Sequence, residues 1–225
     1  MSFSLVSWLS FRNFPMRSGV QPTLKGFYCI LWLMLCFLAE QKGGGKVLAS
    51  LPRGCYQVAA KVTFNPDTAH PALVVSTDRK TVTSEGVEHP VPPNPRRFTK
   101  SPAVLGSPGF KSGKHCWEVV YGNQREWAVG VARESVKRDV YLSLTPEEGI
   151  VQEGLWWLRR RQSDPQPPPQ GSGTIGVLLD CDQDTVTFYM AGKVIKKDVP
   201  RNGEVVYPFF YVGGGVSLRL NNLKE

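Results

Sequence analysis

The chain is punctuated too often to build long helices. Its 22 glycines and 18 prolines are scattered through 225 residues without a period. Proline cannot continue a helix and glycine weakens one, so breakers this frequent favour short strands joined by turns. From Lys61 onward the intervals between them are short apolar or alternating runs. Lys61–Phe64, Leu73–Ser76, His115–Tyr121, Trp127–Ala132, Thr174–Leu179, Thr185–Tyr189, Tyr207–Val212 and Val216–Leu220 read as strands. Turn signals separate them at Asn65-Pro66-Asp67, Ser107-Pro108-Gly109, Gly122-Asn123 and Ala191-Gly192. Within His115–Tyr121 successive side chains alternate, so Cys116 and Trp117 face opposite sides of a sheet. This pattern predicts an all-β antiparallel β-sandwich, in which only the segment around Pro146–Gly149 is a helical candidate.

The first fifty residues follow a different rule. Phe27–Ala39 is thirteen uninterrupted apolar residues, covering about 20 Å as a helix, short of a hydrocarbon core of roughly 30 Å. No stable membrane span is expected from it. Arg12, Arg17 and Lys25 precede the run and small residues follow it, the order of a secretory signal. Residues 1–49 are therefore read as a signal peptide with a possible short pro-segment, cut after Ala39 or after Val47-Leu48-Ala49; a retained signal anchor or a buried core helix is the alternative. Gly43-Gly44-Gly45-Lys46 is a linker, lacking the spacing of a phosphate-binding loop. Residues 50–225 form one domain, and the product is expected to be secreted.

Charge excludes one class of partner. The net +8 includes five basic residues and one acid within positions 1–49, leaving 22 basic against 18 acidic residues. That excess is too small and dispersed for nucleic acid, which needs a basic stripe. Arg159-Arg160-Arg161 is the longest basic run and stands just before the proline-rich Ser163–Gly173, which reads as a solvated loop. A basic triplet there is a candidate proteolytic processing site, with an ordinary surface loop as the alternative.

Catalytic chemistry is not visible. Three histidines exist, His70, His89 and His115, and no Gly-x-Ser-x-Gly elbow accompanies them. His115 and Cys116 cannot form a dyad from adjacent positions of one strand. Asp180-Cys181-Asp182-Gln183-Asp184 resembles the start of a calcium loop, but Thr185 and Ala191 stand where glycine and a bidentate glutamate are required. Its acids are read as facing solvent and shaping a hairpin. No Cys-x-x-Cys supports zinc. Neither metal nor cofactor is expected, and the chain is read as no enzyme.

Cysteine usage adds little. Cys29 and Cys36 would leave with the signal, and Cys55, Cys116 and Cys181 would remain. Three thiols allow at most one internal bridge, and those in apolar runs read as buried free thiols. A recognition surface is the remaining source of function. The adjacent Trp156 and Trp157 are candidate anchors, because tryptophan concentrates binding energy at interfaces; packing of both rings in the core is the alternative.

These residues also carry a resemblance. Lys61–Thr83 resembles the PRY half of a PRY-SPRY domain. Arg97-Phe98, Val104-Leu105-Gly106, Phe110–Val119, Trp127–Ala132, Leu179–Asp182 and Tyr207–Phe210 resemble its SPRY half. The resemblance spans about residues 58–222, with PRY about 58–105 and SPRY about 106–222. It implies a bent antiparallel β-sandwich, of the concanavalin-like jelly-roll type, used for protein recognition. Cys116 and Cys181 stand where that pattern has aromatics, and Val151 where it has tryptophan. The positions of Trp156, Trp157, Phe209 and Phe210 match the family's binding face.

Ser107–Phe110, Gln124–Gly130, Ser135–Arg138 and Gly154–Arg160 are similar to the vespryns, the ohanin- and thaicobrin-like reptile venom proteins. That resemblance implies a secreted, monomeric neurotoxin-type binder that reduces locomotion and heightens pain sensitivity through an unidentified extracellular or neuronal protein. It also implies processing at Arg159–Arg161. Two alternatives stay open. One is an intracellular PRY-SPRY adaptor related to tripartite-motif ligases or butyrophilins, and the other a secreted relative made outside venom tissue.

Overall fold

The structure is a computed structural model that describes residues 51–122, 125–155, 172–221 and 223. A five-residue helix, α1 (Arg53–Gln57), comes first. Six strands follow: β1 (Thr63–Phe64), β2 (Leu73–Val75), β3 (Thr81–Ser84), β4 (Ala103–Ser107), β5 (Lys114–Tyr121) and β6 (Trp127–Arg133). The remainder are β7 (Ile150–Gly154), β8 (Gly173–Asp180), β9 (Thr185–Met190), β10 (Lys193–Asp198), β11 (Val206–Val212) and β12 (Ser217–Asn221).

They form two antiparallel sheets, a five-stranded one ordered β1-β4-β11-β6-β7 and a seven-stranded one ordered β10-β9-β8-β5-β12-β3-β2. The predicted sandwich is present, and its eight expected strands all lie in it.

Side-chain alternation assigns the layers. On β11, Val206, Phe210 and Val212 point into the core between the sheets, while Tyr207, Phe209 and Tyr211 point to the other face. On β5, Trp117 and Val119 enter that core and Cys116 faces away, as the period-2 argument requires. Trp117 and Trp127 are its largest fully buried side chains. Two satellite clusters lie outside the sandwich. Phe98, Ala132, Leu144, Ile150 and Phe209 pack on the outer face of the five-stranded sheet, and Leu51, Cys55 and Cys116 on that of the seven-stranded sheet.

Several expectations are corrected. The Pro146–Gly149 segment is a turn leading into β7, not a helix. Cys116 is not a free thiol: Cys55 on α1 is bonded to it across 61 positions, leaving Cys181 free and buried. The tether holds Leu51 over the backbone of Gly176, where an added Cβ would lie 2.1 Å from the leucine side chain. The Asp180 loop is the predicted hairpin, joining β8 to β9, but Asp180 turns inward. The residue is 6% exposed, and its carboxylate pairs with Lys114 at 2.9 Å and accepts from the Asp182 and Gln183 amides. The Ala191-Gly192 turn has both residues at positive φ (49° and 75°), the two-residue hairpin geometry that matches strand twist.

Candidate binding surface

Phe209 and Phe210 sit on β11, the central strand of the five-stranded sheet, and both are 0% exposed. Phe210 packs edge-on against Phe64 at 4.7 Å between ring centroids, and Phe209 against Phe98 at 6.2 Å. A central strand is covered on both faces, so in this conformation neither ring offers surface to a partner. Their expected contact role becomes a packing role. Trp156, Trp157, Arg159, Arg160 and Arg161 lie outside the described residues. The last described residue before them, Leu155, donates its amide to the Trp127 carbonyl at 2.8 Å.

An accessible aromatic side chain beside charged groups lies in the connection from β6 to β7. This segment folds over the outer face of the five-stranded sheet, where Val136 and Leu144 enter the cluster around Phe209. Above that cluster is a groove of about 430 Å³ lined by Arg133, Ser135, Lys137, Tyr141, Leu142 and Glu148 with their neighbours. Tyr141 stands at its rim, 79% exposed, the highest value among the exposed large hydrophobic side chains of the described residues. An aromatic ring out in water beside a polar groove is a typical interface anchor.

The groove is rigidly built. Glu148 accepts from the Ser143 amide through both oxygens, at 3.1 and 2.8 Å, which fixes the segment carrying Tyr141. Arg133 donates to the Glu147 carbonyl at 3.3 Å and faces Glu204 at 3.6 Å. Hydrogen bonding to Ser135, opposed in part by burial, holds the Glu204 carboxyl below its ordinary pKa. Arg138 lies 4.8 Å from the centroid of Phe98, and burial lowers its pKa. Tyr207 reaches Glu134 at 3.4 Å; burial first, then that carboxylate, raises its pKa. These contacts give a charged, pre-formed surface with an aromatic rim.

Among the described residues the histidines and the free thiol do not come together as a catalytic group. His115 stacks on Phe110 at 3.9 Å, with Nε2 2.8 Å from the Ser112 carbonyl. Cys181 is buried, and burial first raises its thiol pKa, which suppresses the nucleophilic thiolate. Among the described residues no group of His, Cys, Asp or Glu could hold a metal ion, and no helix is long and apolar enough to cross a membrane. Sequence reasoning missed Tyr141, because nothing in its local pattern separates it from a strand residue facing inward.

Two family models match the chain: the SPRY-associated domain PRY over residues 62–110 and the SPRY domain over residues 114–224. The chain is 55% identical to "Ohanin" of Ophiophagus hannah over 84% of its length and 98% of that protein. It is 53% identical to "Vespryn" of Crotalus adamanteus over 86% of each. "Thaicobrin" of Naja kaouthia is 62% identical over 48% of this chain and 98% of its own. Among solved structures, "Crystal structure of TRIM65 PSpry domain" aligns with a TM-score of 0.59 at 18% identity, covering 80% of this chain and 99% of that one. "Stonustoxin structure" aligns with the same TM-score at 23% identity, over 77% of this chain and 29% of its own. These two likenesses concern the fold.

Proposed function

Because the chain belongs to the PRY-SPRY proteins and, within them, to the vespryns, we propose that it is a secreted, venom-type binding protein. It acts by occupying an extracellular neuronal protein as a monomer, without catalysis. Reduced locomotion and heightened pain sensitivity are the outcome this reading expects. The observation that carries it is the 55% identity over 98% of ohanin, which leaves little of that protein unmatched. The Cys55–Cys116 bridge supports the compartment, since bridges persist in oxidising surroundings and are rare in the cytosol. Binding would use the loop cluster around Tyr141, with the aromatic as anchor and the charged groove as rim.

The intracellular-adaptor reading rests on relatives such as "E3 ubiquitin-protein ligase TRIM58" of Mus musculus, 35% identical, of which the match covers only 31%. A bridged cysteine pair weighs against it.

Equilibrium binding of labelled purified protein to neuronal membranes tests the proposal. Saturable binding displaced by unlabelled protein is expected. Binding that rises linearly with concentration, or hydrolysis of a substrate by the purified chain, contradicts it.

A further inference from the structure

A second groove, of about 640 Å³, lies against the bridged helix α1 and shares no lining residue with the groove beneath Tyr141. Its volume is in the range that holds a small ligand. Tyr56 of α1, 38% exposed, and the side chains of Ala59, Ala60 and Leu223 give it an apolar part. Gln57 and Thr63 add neutral polar groups, and Lys61 and Lys80 add two ammonium groups.

The charge balance of this groove is one-sided. No carboxylate lines it among the described residues. Lys80 is held in place by donating to the Val62 carbonyl at 2.6 Å, and burial, partly offset by the charge of Asp78, holds its pKa below the usual lysine value. Asp78 is otherwise engaged, accepting from the Ser76 hydroxyl and from the backbone amide of Lys80. Among the described residues Lys61 makes no ion pair. Lys80 is partly buried with Asp78 as its nearby counter-charge, and Lys61 is exposed; with no carboxylate on the lining, an incoming anion meets two positive charges.

We propose that this groove is a binding site for a small organic carboxylate. The acid group pairs with the ammonium groups of Lys61 and Lys80, and the apolar body, of arylalkanoate size, rests on Tyr56, Ala59, Ala60 and Leu223. The site depends on the Cys55–Cys116 bridge, because α1 supplies the Tyr56 and Gln57 wall and the bridge holds α1 against β5. This site is separate from the recognition reading and stands or falls without it.

The test titrates the ¹⁵N-labelled, oxidised protein with 4-phenylbutyrate, with the neutral 4-phenylbutan-1-ol and with sodium sulfate, following backbone amide shifts. The acid is expected to shift the amides of Gln57, Thr63 and Lys80 saturably, with the alcohol and sulfate each binding about tenfold more weakly. Lys61→Gln, an exposed change that leaves the fold intact, is expected to weaken the acid about tenfold. The Cys55→Ala/Cys116→Ala variant is expected to lose the site. No saturable shift at these amides, equal binding of acid and alcohol, or undiminished binding by K61Q would each overturn the proposal.

Discussion

Cys55 and Cys116 join the segment ahead of the sandwich to β5, a central strand of the seven-stranded sheet, with Cα atoms 5.4 Å apart. Both side chains are buried, at 1% and 0% exposure. Closing a loop of 61 residues removes conformational freedom from the unfolded chain worth about 4 kcal/mol in the chain-entropy model. Replacing both by alanine is expected to cost about 2–4 kcal/mol. Urea unfolding at constant slope measures this; a midpoint unchanged from the parent would show that the bridge does not constrain the chain.

Tyr141 and Phe210 separate recognition from packing. Tyr141→Ala removes an exposed ring and is expected to leave stability within about 0.5 kcal/mol while weakening membrane binding at least tenfold. Phe210→Ala opens a cavity between the sheets beside Phe64 and is expected to cost about 3–5 kcal/mol. Thermal unfolding and binding measured on both variants decide this, and a Tyr141→Ala variant that binds normally moves the site elsewhere.

Cleavage at Arg159–Arg161 is expected to nick the protein rather than shorten it. The cut would fall between β7 and β8, outside the described residues. The chain after it supplies β8, next to β5, and β11, between β4 and β6. Five of the twelve described strands would have to leave both sheets for the second fragment to depart. After limited trypsin digestion, two peptides on a denaturing gel should co-elute as one species under native conditions. Release of a soluble, folded first fragment would contradict this.

His70 predicts an acid-sensitive step. It is 6% exposed, its Nδ1 accepts from the Ala72 amide at 3.1 Å, and Glu88 lies 3.8 Å from Nε2. Burial lowers its pKa, with Glu88 and a hydrogen bond to the Thr99 backbone opposing. The unfolded chain therefore takes up this proton first. Its contribution to stability is full above the unfolded value of about 6.5 and falls as pH drops from there through the lowered folded value. Unfolding free energy measured between pH 7.5 and 5 should decline, and His70→Gln should flatten the decline. An equal slope in both proteins would place the proton elsewhere.

The sequence carried the alternation of Cys116 and Trp117, the Ala191-Gly192 hairpin and most strands, because each is encoded within a few consecutive residues. β10, Lys193–Asp198, escaped because an edge strand keeps lysines on a half-exposed ladder and loses its apolar period. β7 escaped because its Gln152 and Glu153 are engaged by Lys197 of β10, which donates to the Gln152 carbonyl at 2.6 Å and pairs with Glu153 at 2.8 Å. The partnership of Cys55 with Cys116 and the burial of Phe209 under Phe98 are long-range facts that no local window contains. Tyr141 became visible as a rim residue only once the groove beneath it was formed.

The intact mass of the product recovered from the medium of cells expressing the full chain, with and without alkylation, tests the export on which the whole account depends. The account predicts a chain that has lost its leader before Leu51, that is lighter than its reduced form by two hydrogens, and whose Cys181 becomes alkylated only after unfolding. Full-length protein retained inside the cell with Cys55 and Cys116 both alkylated would contradict it.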